Sequence, residues 1–468
     1  MEPLAFCDEL SQHFRNLSKK ANVSSTRFTR TTEREHCDAV QHLWRLLDAK
    51  GLIYKGQHEG WYSVSDECFY TDKQITRVDP PTDSEEEAYY ISTETGSRVE
   101  WMHEENYKFR LSSFASSLAA HFTAHEDAIY PPQHHVDIVT SLQQPLEDLS
   151  ISRPKSRLTW GIPVPNDPEH TIYVWIDALT VYLSSIGYPW SANGGKGLES
   201  GWPPDIQIIG KDILRFHAIY FPAMLQALDI PLPKRLLAHS HWTVNRAKMS
   251  KSVGNVADPI QAIDEFGIDL VRYYLARVGG RFKDDVDWSH EQLEKHSREI
   301  ISLLGNLLMR ITSAKIEKRV AGRERPEAQS IAAEGLVSPL LSSLSALAPS
   351  VESDMQNMQV ANALETIVAA LQEANMLVTQ ATPWHRDTPL DVTSNVQALV
   401  LECLRQCGIL LQPFMPSKAE LLLNALDVPA EQRTLAYAAF GSPGLNQVQR
   451  GIRLFEVPSL TTTNEKAD

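Results

Sequence analysis

The apolar periodicity of this chain changes at about residue 290, and that change limits the folds open to it. From Trp160 onward, short unbroken apolar runs alternate with helical stretches. Two such runs are Thr171-Ile172-Tyr173-Val174-Trp175-Ile176 and Ile206-Gln207-Ile208-Ile209. Runs this short and continuous predict buried parallel strands, each followed by a helix. Beyond residue 290 the spacing becomes helical almost throughout. Ile300, Leu304, Leu307, Leu308 and Ile311 mark one helix. Val396, Leu399, Val400, Cys403, Cys407 and Leu410 mark another, which stops before Pro413. An α/β region followed by an all-α region is therefore expected.

The first half is more mixed. Residues 6–51 read as helices, with Thr31, Thr32, Glu33 and Glu35 as start signals and Val40, Leu43, Leu46 and Leu47 as an apolar stripe. Strands are expected between 52 and 90, and helices around 109–122 and 134–146. The acidic run at 83–87 reads as a solvated loop. The Ser/Ala/Leu-rich stretch at 338–350 reads as a linker, and the polar tail from Thr461 as fray.

Charge and cysteine usage narrow the function. A net charge of −15 over 468 residues excludes a generic polybasic nucleic-acid binder, so any RNA contact must use a local basic face. No apolar run approaches the ~18–20 residues of a membrane span. The five cysteines (Cys7, Cys37, Cys68, Cys403 and Cys407) are sparse and odd in number, which fits a reducing compartment rather than a disulfide framework. The opening residues show neither a secretory apolar core nor an Arg-rich transit pattern.

Three strings carry chemistry. Lys248-Met249-Ser250-Lys251-Ser252, followed by Gly254, places two ammonium groups and two hydroxyls in one short loop. Such a loop can close over a polyphosphate and stabilise charge that develops as an α-phosphate is attacked. Gly210-Lys211-Asp212-Ile213-Leu214-Arg215-Phe216-His217 follows the strand expected at 206–209. Ligands of open α/β sheets lie off the carboxyl ends of strands, so Asp212 and His217 can face one. An Asp after a strand is also a common helix cap. In Tyr173-Val174-Trp175-Ile176-Asp177-Ala178-Leu179-Thr180-Val181-Tyr182, a strand is expected to end in aromatic residues, with Trp175 and Tyr182 walling a pocket for an unbranched apolar side chain or packing into the core.

In order and in sequence, these strings resemble the methionyl-tRNA synthetases of the class I type. Phe6-Cys7-Asp8-Glu9-Leu10-Ser11, Gly60-Trp61-Tyr62-Ser63-Val64-Ser65-Asp66-Glu67, Glu105-Asn106-Tyr107 and Trp160-Gly161-Ile162-Pro163-Val164-Pro165 are similar to segments of that family. The resemblance runs from about residue 4 to about residue 457 and is closest to the short organellar and bacterial branch. It implies a Rossmann-like catalytic domain interrupted by a connective insert and followed by an all-α anticodon-binding bundle. The expected boundaries are 1–52 and 156–234 for the two parts of the catalytic domain and 53–155 for the insert. A linking subdomain with the lysine loop would occupy 235–290, and the bundle 291–468.

The resemblance also implies roles. Lys248, Lys251 and Asp212 would be catalytic, and Lys248, Met249, Ser250, Lys251, Ser252 and Arg153 would bind ATP, supplied as its Mg2+ complex. Trp175, Ala178, Tyr182, His217 and Phe221 would line the methionine pocket. Asn306 and Arg310, four apart on one helix face, and Trp384, expected at a helix entrance, would read the anticodon of tRNA(Met). The implied reaction joins methionine and ATP into methionyl-adenylate, then transfers methionine to the tRNA. A monomer in the mitochondrial matrix is the implied setting, with the cytoplasm as the alternative.

The sequence departs from the family pattern twice. Where relatives often carry paired Cys-x-x-Cys motifs, the insert has only Cys68, and Thr93-Glu94-Thr95-Gly96-Ser97-Arg98 stands in place of a second pair. One thiolate cannot hold tetrahedral zinc, so no structural metal is expected, from His121, His125, His134 and His135 included. The family's His-x-Gly-His signature is also absent from the sequence. This leads to the expectation of an N-terminally truncated chain that does not activate methionine by itself. The competing readings are another class I ligase, which would need an editing insertion or pocket cysteines, and a catalytically dead tRNA-binding module.

Overall fold

In the computed structural model, residues 2–65, 68–70, 72–79, 88–93, 95–190, 201–249 and 254–456 are described. The acidic run at 83–87, Ser250, Lys251, Ser252 and the tail from Thr461 lie outside them, as do the side chains of Cys68 and Lys248. The chain divides into two units: 1–11 with 25–239, and 12–24 with 240–468.

The first unit begins with part of α1 (Pro3–Lys20), a helix on which no residue is buried and which leaves Leu4, Phe6, Leu10 and Phe14 exposed. α2 (Arg34–Ala49) is strongly amphipathic and buries His36, Ala39, Val40, Leu43, Trp44 and Leu47. An antiparallel meander follows: β1 (Ile53–Ser63), β2 (Cys68–Tyr70), β3 (Ile75–Val78), β4 (Tyr89–Ser92) and β5 (Arg98–Phe109). Its order is β2-β1-β5-β4-β3, and β1 pairs with β5 from Ile53↔Phe109 to Tyr62↔Glu100. The insert expected between the catalytic halves is thus mainly sheet. α3 (Ala115–Ala124), β6 (Ile129–Tyr130), α4 (Pro132–Leu142) and β7 (Leu149–Ser150) return the chain to the core.

Three further strands, β8 (Ser152–Pro154), β9 (Pro163–Val164) and β10 (Asp167–Ile172), form an antiparallel sheet of order β8-β10-β9. This corrects the first strand expectation. The run at 171–176 is not a buried parallel strand: the strand ends at Ile172, and α5 (Val174–Ser184) starts two residues later. Ile176, Leu179, Thr180 and Leu183 are buried at helical spacing, a period that the continuous apolar run conceals.

The second expectation is half right. β11 (Gln207–Gly210) pairs in parallel with β12 (Leu236–His239), which pairs in parallel with β6. However, Ile206 and Ile208 are exposed, and only Gln207 and Ile209 of β11 are buried. Between these strands the chain forms a short 3₁₀ turn at Lys211–Ile213, a π-helical turn at Phe216–Tyr220 and α6 (Phe221–Ala227). One core joins Trp44, Leu47, Phe109, Ile176, Leu179 and Phe221.

The second unit opens with a small sheet of β13 (Trp242–Val244), β14 (Ala247–Lys248) and β15 (Val286–Asp287). α7 (Pro259–Phe266) is capped by the Asp258 carboxylate, which accepts from the amides of Ile260 and Gln261, with Pro259 at the first helical position. α8 (Ile268–Gly279) follows. α9 (His290–Ile300), capped by Ser289, runs through a π-helical turn at Ile301–Asn306 into α10 (Leu307–Ile311).

α11 (Ala314–Val320), α12 (Ser338–Gln356), α13 (Val360–Ala381), α14 (Leu390–Leu411) and α15 (Pro416–Ala425) complete the bundle. α12 corrects the linker expectation: Leu340, Leu341, Leu344, Leu347 and Ala348 are buried on one face. α14 is buried almost all round and carries Arg405, which donates to both Glu402 carboxylate oxygens.

Candidate active site and tRNA-reading face

α5 presents two faces. One packs into the core. Along the other, Trp175, Ala178 and Tyr182 stand at i, i+3 and i+7, all half-buried. The small Ala178 side chain between two rings is the low point of that face, and the slot it makes is the candidate pocket. The π-helical turn lies alongside, and its wider turn lets two consecutive residues contact α5. Phe216 stacks on Trp175 with ring centroids 3.5 Å apart, and His217 bonds Tyr182. Phe221, fully buried at the head of α6, packs its ring against Tyr182 at 5.8 Å and against Trp202 at 6.1 Å. Four of the five residues expected around the pocket are joined by these contacts or by chain neighbourhood on α5; Trp175 completes the set through Phe216.

The proton positions follow from the partners. His217 Nδ1 lies 2.9 Å from the Ile213 carbonyl, which can only accept, so Nδ1 carries the hydrogen. Nε2 then accepts from the Tyr182 hydroxyl at 2.8 Å. Burial lowers the His217 pKa from its ordinary 6.5, with the Ile213 hydrogen bond partly opposing, so the ring is neutral at pH 7. Burial also raises the Tyr182 pKa, which keeps its hydroxyl protonated. The slot is therefore uncharged, aromatic and polarisable. It suits a thioether against ring edges and faces and penalises a charged side chain.

Sequence reading missed the brace behind this slot. His36, 1% exposed on α2, places Nε2 2.7 Å from Asp177 Oδ1 and Nδ1 2.8 Å from Ser184 Oγ. One imidazole thus ties α2 to both ends of α5. Its partners lie 141 and 148 residues away in sequence, so no local signal could reveal them.

Comparison with known proteins identifies the family. The family model described as class I tRNA synthetases (M) matches residues 1–312. The probable mitochondrial methionine–tRNA ligase of Neurospora crassa is 42% identical over 450 residues, which cover 94% of this chain and 72% of that protein. The human mitochondrial methionine–tRNA ligase is 40% identical over 456 residues, 94% of this chain and 75% of that one. The chain belongs to the class I methionyl-tRNA synthetases. The solved Mycobacterium tuberculosis methionyl-tRNA synthetase bound by methionyl-adenylate superposes with a TM-score of 0.86 at 33% identity. The match covers 97% of this chain and 87% of that one. The fold is accordingly a class I synthetase domain with mixed α/β sheets and a helical C-terminal region, and the activity is that of an aminoacyl-tRNA ligase for methionine.

The remaining residues expected to serve the reaction fall into two groups. In the first unit, Asp212 is exposed in the 3₁₀ turn just past β11. Arg153 is 4% exposed and turned into the protein interior. It donates to Ser150 Oγ and the Ser152 carbonyl, and its guanidinium lies 4.2 Å from the Tyr173 ring centroid. In the second unit, Lys248 ends β14 and Met249 is half-buried beside it; the rest of the lysine loop, 250–252, is outside the described residues. Among the described residues, no group of three His, Cys, Asp or Glu could hold a metal ion, and no helix is long and apolar enough to cross a membrane. His121 and His125 stack on each other, and His135 is buried against the Phe122 carbonyl.

The structure brings Arg310 and Trp384 together, with the guanidinium 5.7 Å from the indole centroid. Asn306 stands exposed one turn before Arg310, at the end of the π-turn. Trp384 corrects its expected setting: it follows the exit of α13, in the connection to α14, and is half-buried. Asn375 on α13 was also missed. Its Nδ2 donates to the Leu303 carbonyl in the π-turn, and its Oδ1 accepts from Arg310. One amide therefore satisfies the altered backbone and orients the guanidinium.

Proposed function

We propose that Trp175, Ala178, Tyr182, His217 and Phe221 hold the methionine side chain, and that the lysine loop, with Lys248 and Lys251 as its cations, grips the triphosphate of Mg2+-bound ATP. The observation that carries this reading is the pair of contacts that join α5 to the π-turn on either side of Ala178, the Trp175–Phe216 stack and the Tyr182–His217 hydrogen bond. Asp212, exposed just beyond a parallel strand, is positioned to meet the substrate's polar end. Arg153, expected to bind ATP, is 4% exposed and turned inward, so it acts instead from behind, holding Tyr173 at the start of α5. The product is methionyl-adenylate, and methionine then passes to tRNA(Met).

Asn306, Arg310 and Trp384 read the anticodon, an assignment supported by the Arg310–Trp384 contact, since a cation over an indole makes a platform for an unstacked base. The five-part division at 52, 155, 234 and 290 gives each of these tasks its own segment. Mitochondrial relatives support a mitochondrial site of action, and the chain is proposed to act there as a monomer.

Equilibrium dialysis of the 468-residue chain against labelled methionine, with leucine and glutamate as competitors, tests the slot. Methionine is expected to bind with leucine competing weakly and glutamate not at all; equal competition by glutamate overturns the reading. Methionine-dependent pyrophosphate exchange by the same chain measures whether activation proceeds without a His-x-Gly-His string, and so separates an active ligase from a module that only binds tRNA.

A further inference from the structure

A recess of about 340 Å3 opens in the second unit where the last described residues of the chain cross the π-turn. Gly305, Asn306 and Met309 line it from the helix, and Arg453, Phe455 and Glu456 from the segment at 453–456. The close approach needs a glycine: a Cβ at Gly305 would stand 3.0 Å from the Phe455 ring. Phe455 is buried, with Lys418 5.6 Å from its ring centroid, so the floor of the recess is held in place. Asn306, Arg453 and Glu456 are exposed at the rim. Among the described residues none of these three side chains has a hydrogen-bond or ion-pair partner.

We propose that this recess takes one unpaired, amino-bearing base of the tRNA, and that Arg453 and Glu456 are specificity-determining residues for it. The inference rests on the anticodon-reading assignment of Asn306, Arg310 and Trp384 and extends that surface to residues 453–456. The volume lies at the small end of the ~300–1,000 Å3 typical of ligand sites, the scale of a single base rather than an extended ligand. A phenyl ring and a thioether offer contact to a flat π-face. The rim offers complementary edges: a guanidinium that only donates, a carboxylate that only accepts and an amide that does both. A carboxylate accepts from an exocyclic amine while the donors meet the neighbouring ring nitrogen or carbonyl. Uracil has no amine to give. Asn306 lies one helical turn before Arg310, which places the recess beside the residues proposed to read the anticodon.

The test is binding of tRNA(Met) transcripts to the full chain at one fixed salt concentration, since phosphate contacts make affinities salt-dependent. Transcripts carry uridine in place of each anticodon-loop base in turn. Wild type, Arg453→Gln, Glu456→Gln and Trp384→Ala are compared, with unchanged melting temperatures required. Wild type is expected to lose about tenfold in affinity on one amino-to-uridine replacement, and Glu456→Gln to abolish that discrimination by weakening only the amino-bearing transcript. Arg453→Gln is expected to weaken the same transcript most. Loss of a negative charge near phosphates acts in the opposite sense, so Glu456→Gln binding all transcripts equally more tightly overturns the proposal. If both variants match wild type while Trp384→Ala loses binding, the recess fails and the anticodon reading stands. If Trp384→Ala also matches wild type, both fail.

Discussion

Among the described residues two π-turns, one in each unit, sit at the two proposed recognition sites. At Phe216–Tyr220 the turn is largely buried, and its side chains already have partners: His217 is bonded on both nitrogens and Phe216 is stacked. At Ile301–Asn306 the turn ends on an exposed amide, and the neighbouring Arg310 is held by long contacts of 3.3–3.5 Å to Thr379 and Asn375. The first arrangement is organised before its ligand arrives, as a small apolar side chain with few atoms requires. The second leaves donors and a ring face open, as suits a base that brings its own hydrogen-bonding edge. π-turns widen a helix by one residue and recur at functional sites, and here each one carries a residue proposed to face a ligand, His217 or Asn306.

The comparison can be broken from either side. The largest effect is expected at the brace of the buried site. His36→Ala leaves the Asp177 carboxylate and the Ser184 hydroxyl without their shared partner and should cost about 3 kcal/mol of stability, counting ~1–3 kcal/mol for each orphaned group. Denaturant titration checks this, and methionine affinity should fall with it, whereas His36→Gln should restore part of both. Next, Trp384→Ala should weaken tRNA binding by about 2 kcal/mol, some thirtyfold, by removing one stacked base, while methionine binding is unchanged. A parallel loss of both ligands would show that the two sites are not independent.

The smallest effect concerns pH. The His217 pKa is lowered in the folded state, so the unfolded chain takes up that proton first as pH falls below 6.5. Its contribution to stability is complete above 6.5 and is lost as pH drops toward its folded value. Replacing it with glutamine should flatten the fall in stability over that interval, measured by chemical denaturation at a series of pH values against wild type.

The sequence carried the chemistry of the first site better than its geometry. Trp175, Ala178, Tyr182, His217 and Phe221 could be named from a family resemblance, but Trp175 was expected on a strand. A run of Thr, Ile, Tyr, Val, Trp and Ile has the composition of a strand and no visible period, and only burial at Ile176, Leu179 and Leu183 reveals the helix. Ser338–Gln356 failed for the opposite reason: serines and alanines diluted a leucine stripe that buries one complete face. Ile208 shows the limit of the run-length argument, because apolar character predicts a buried strand only if both faces are covered. His36, Asn375, Arg453 and Glu456 were illegible because their meaning lies in partners or neighbours far along the chain.

The central claim is that a preorganised slot over Ala178 holds methionine. Ala178→Leu fills that slot without adding charge and without touching the His36 brace or the tRNA-reading face. Equilibrium dialysis of this variant should show methionine affinity lowered by about two orders of magnitude, the ~3 kcal/mol of a severe overpacking, with tRNA affinity unchanged. Methionine binding at the wild-type level by a folded Ala178→Leu protein would contradict the account.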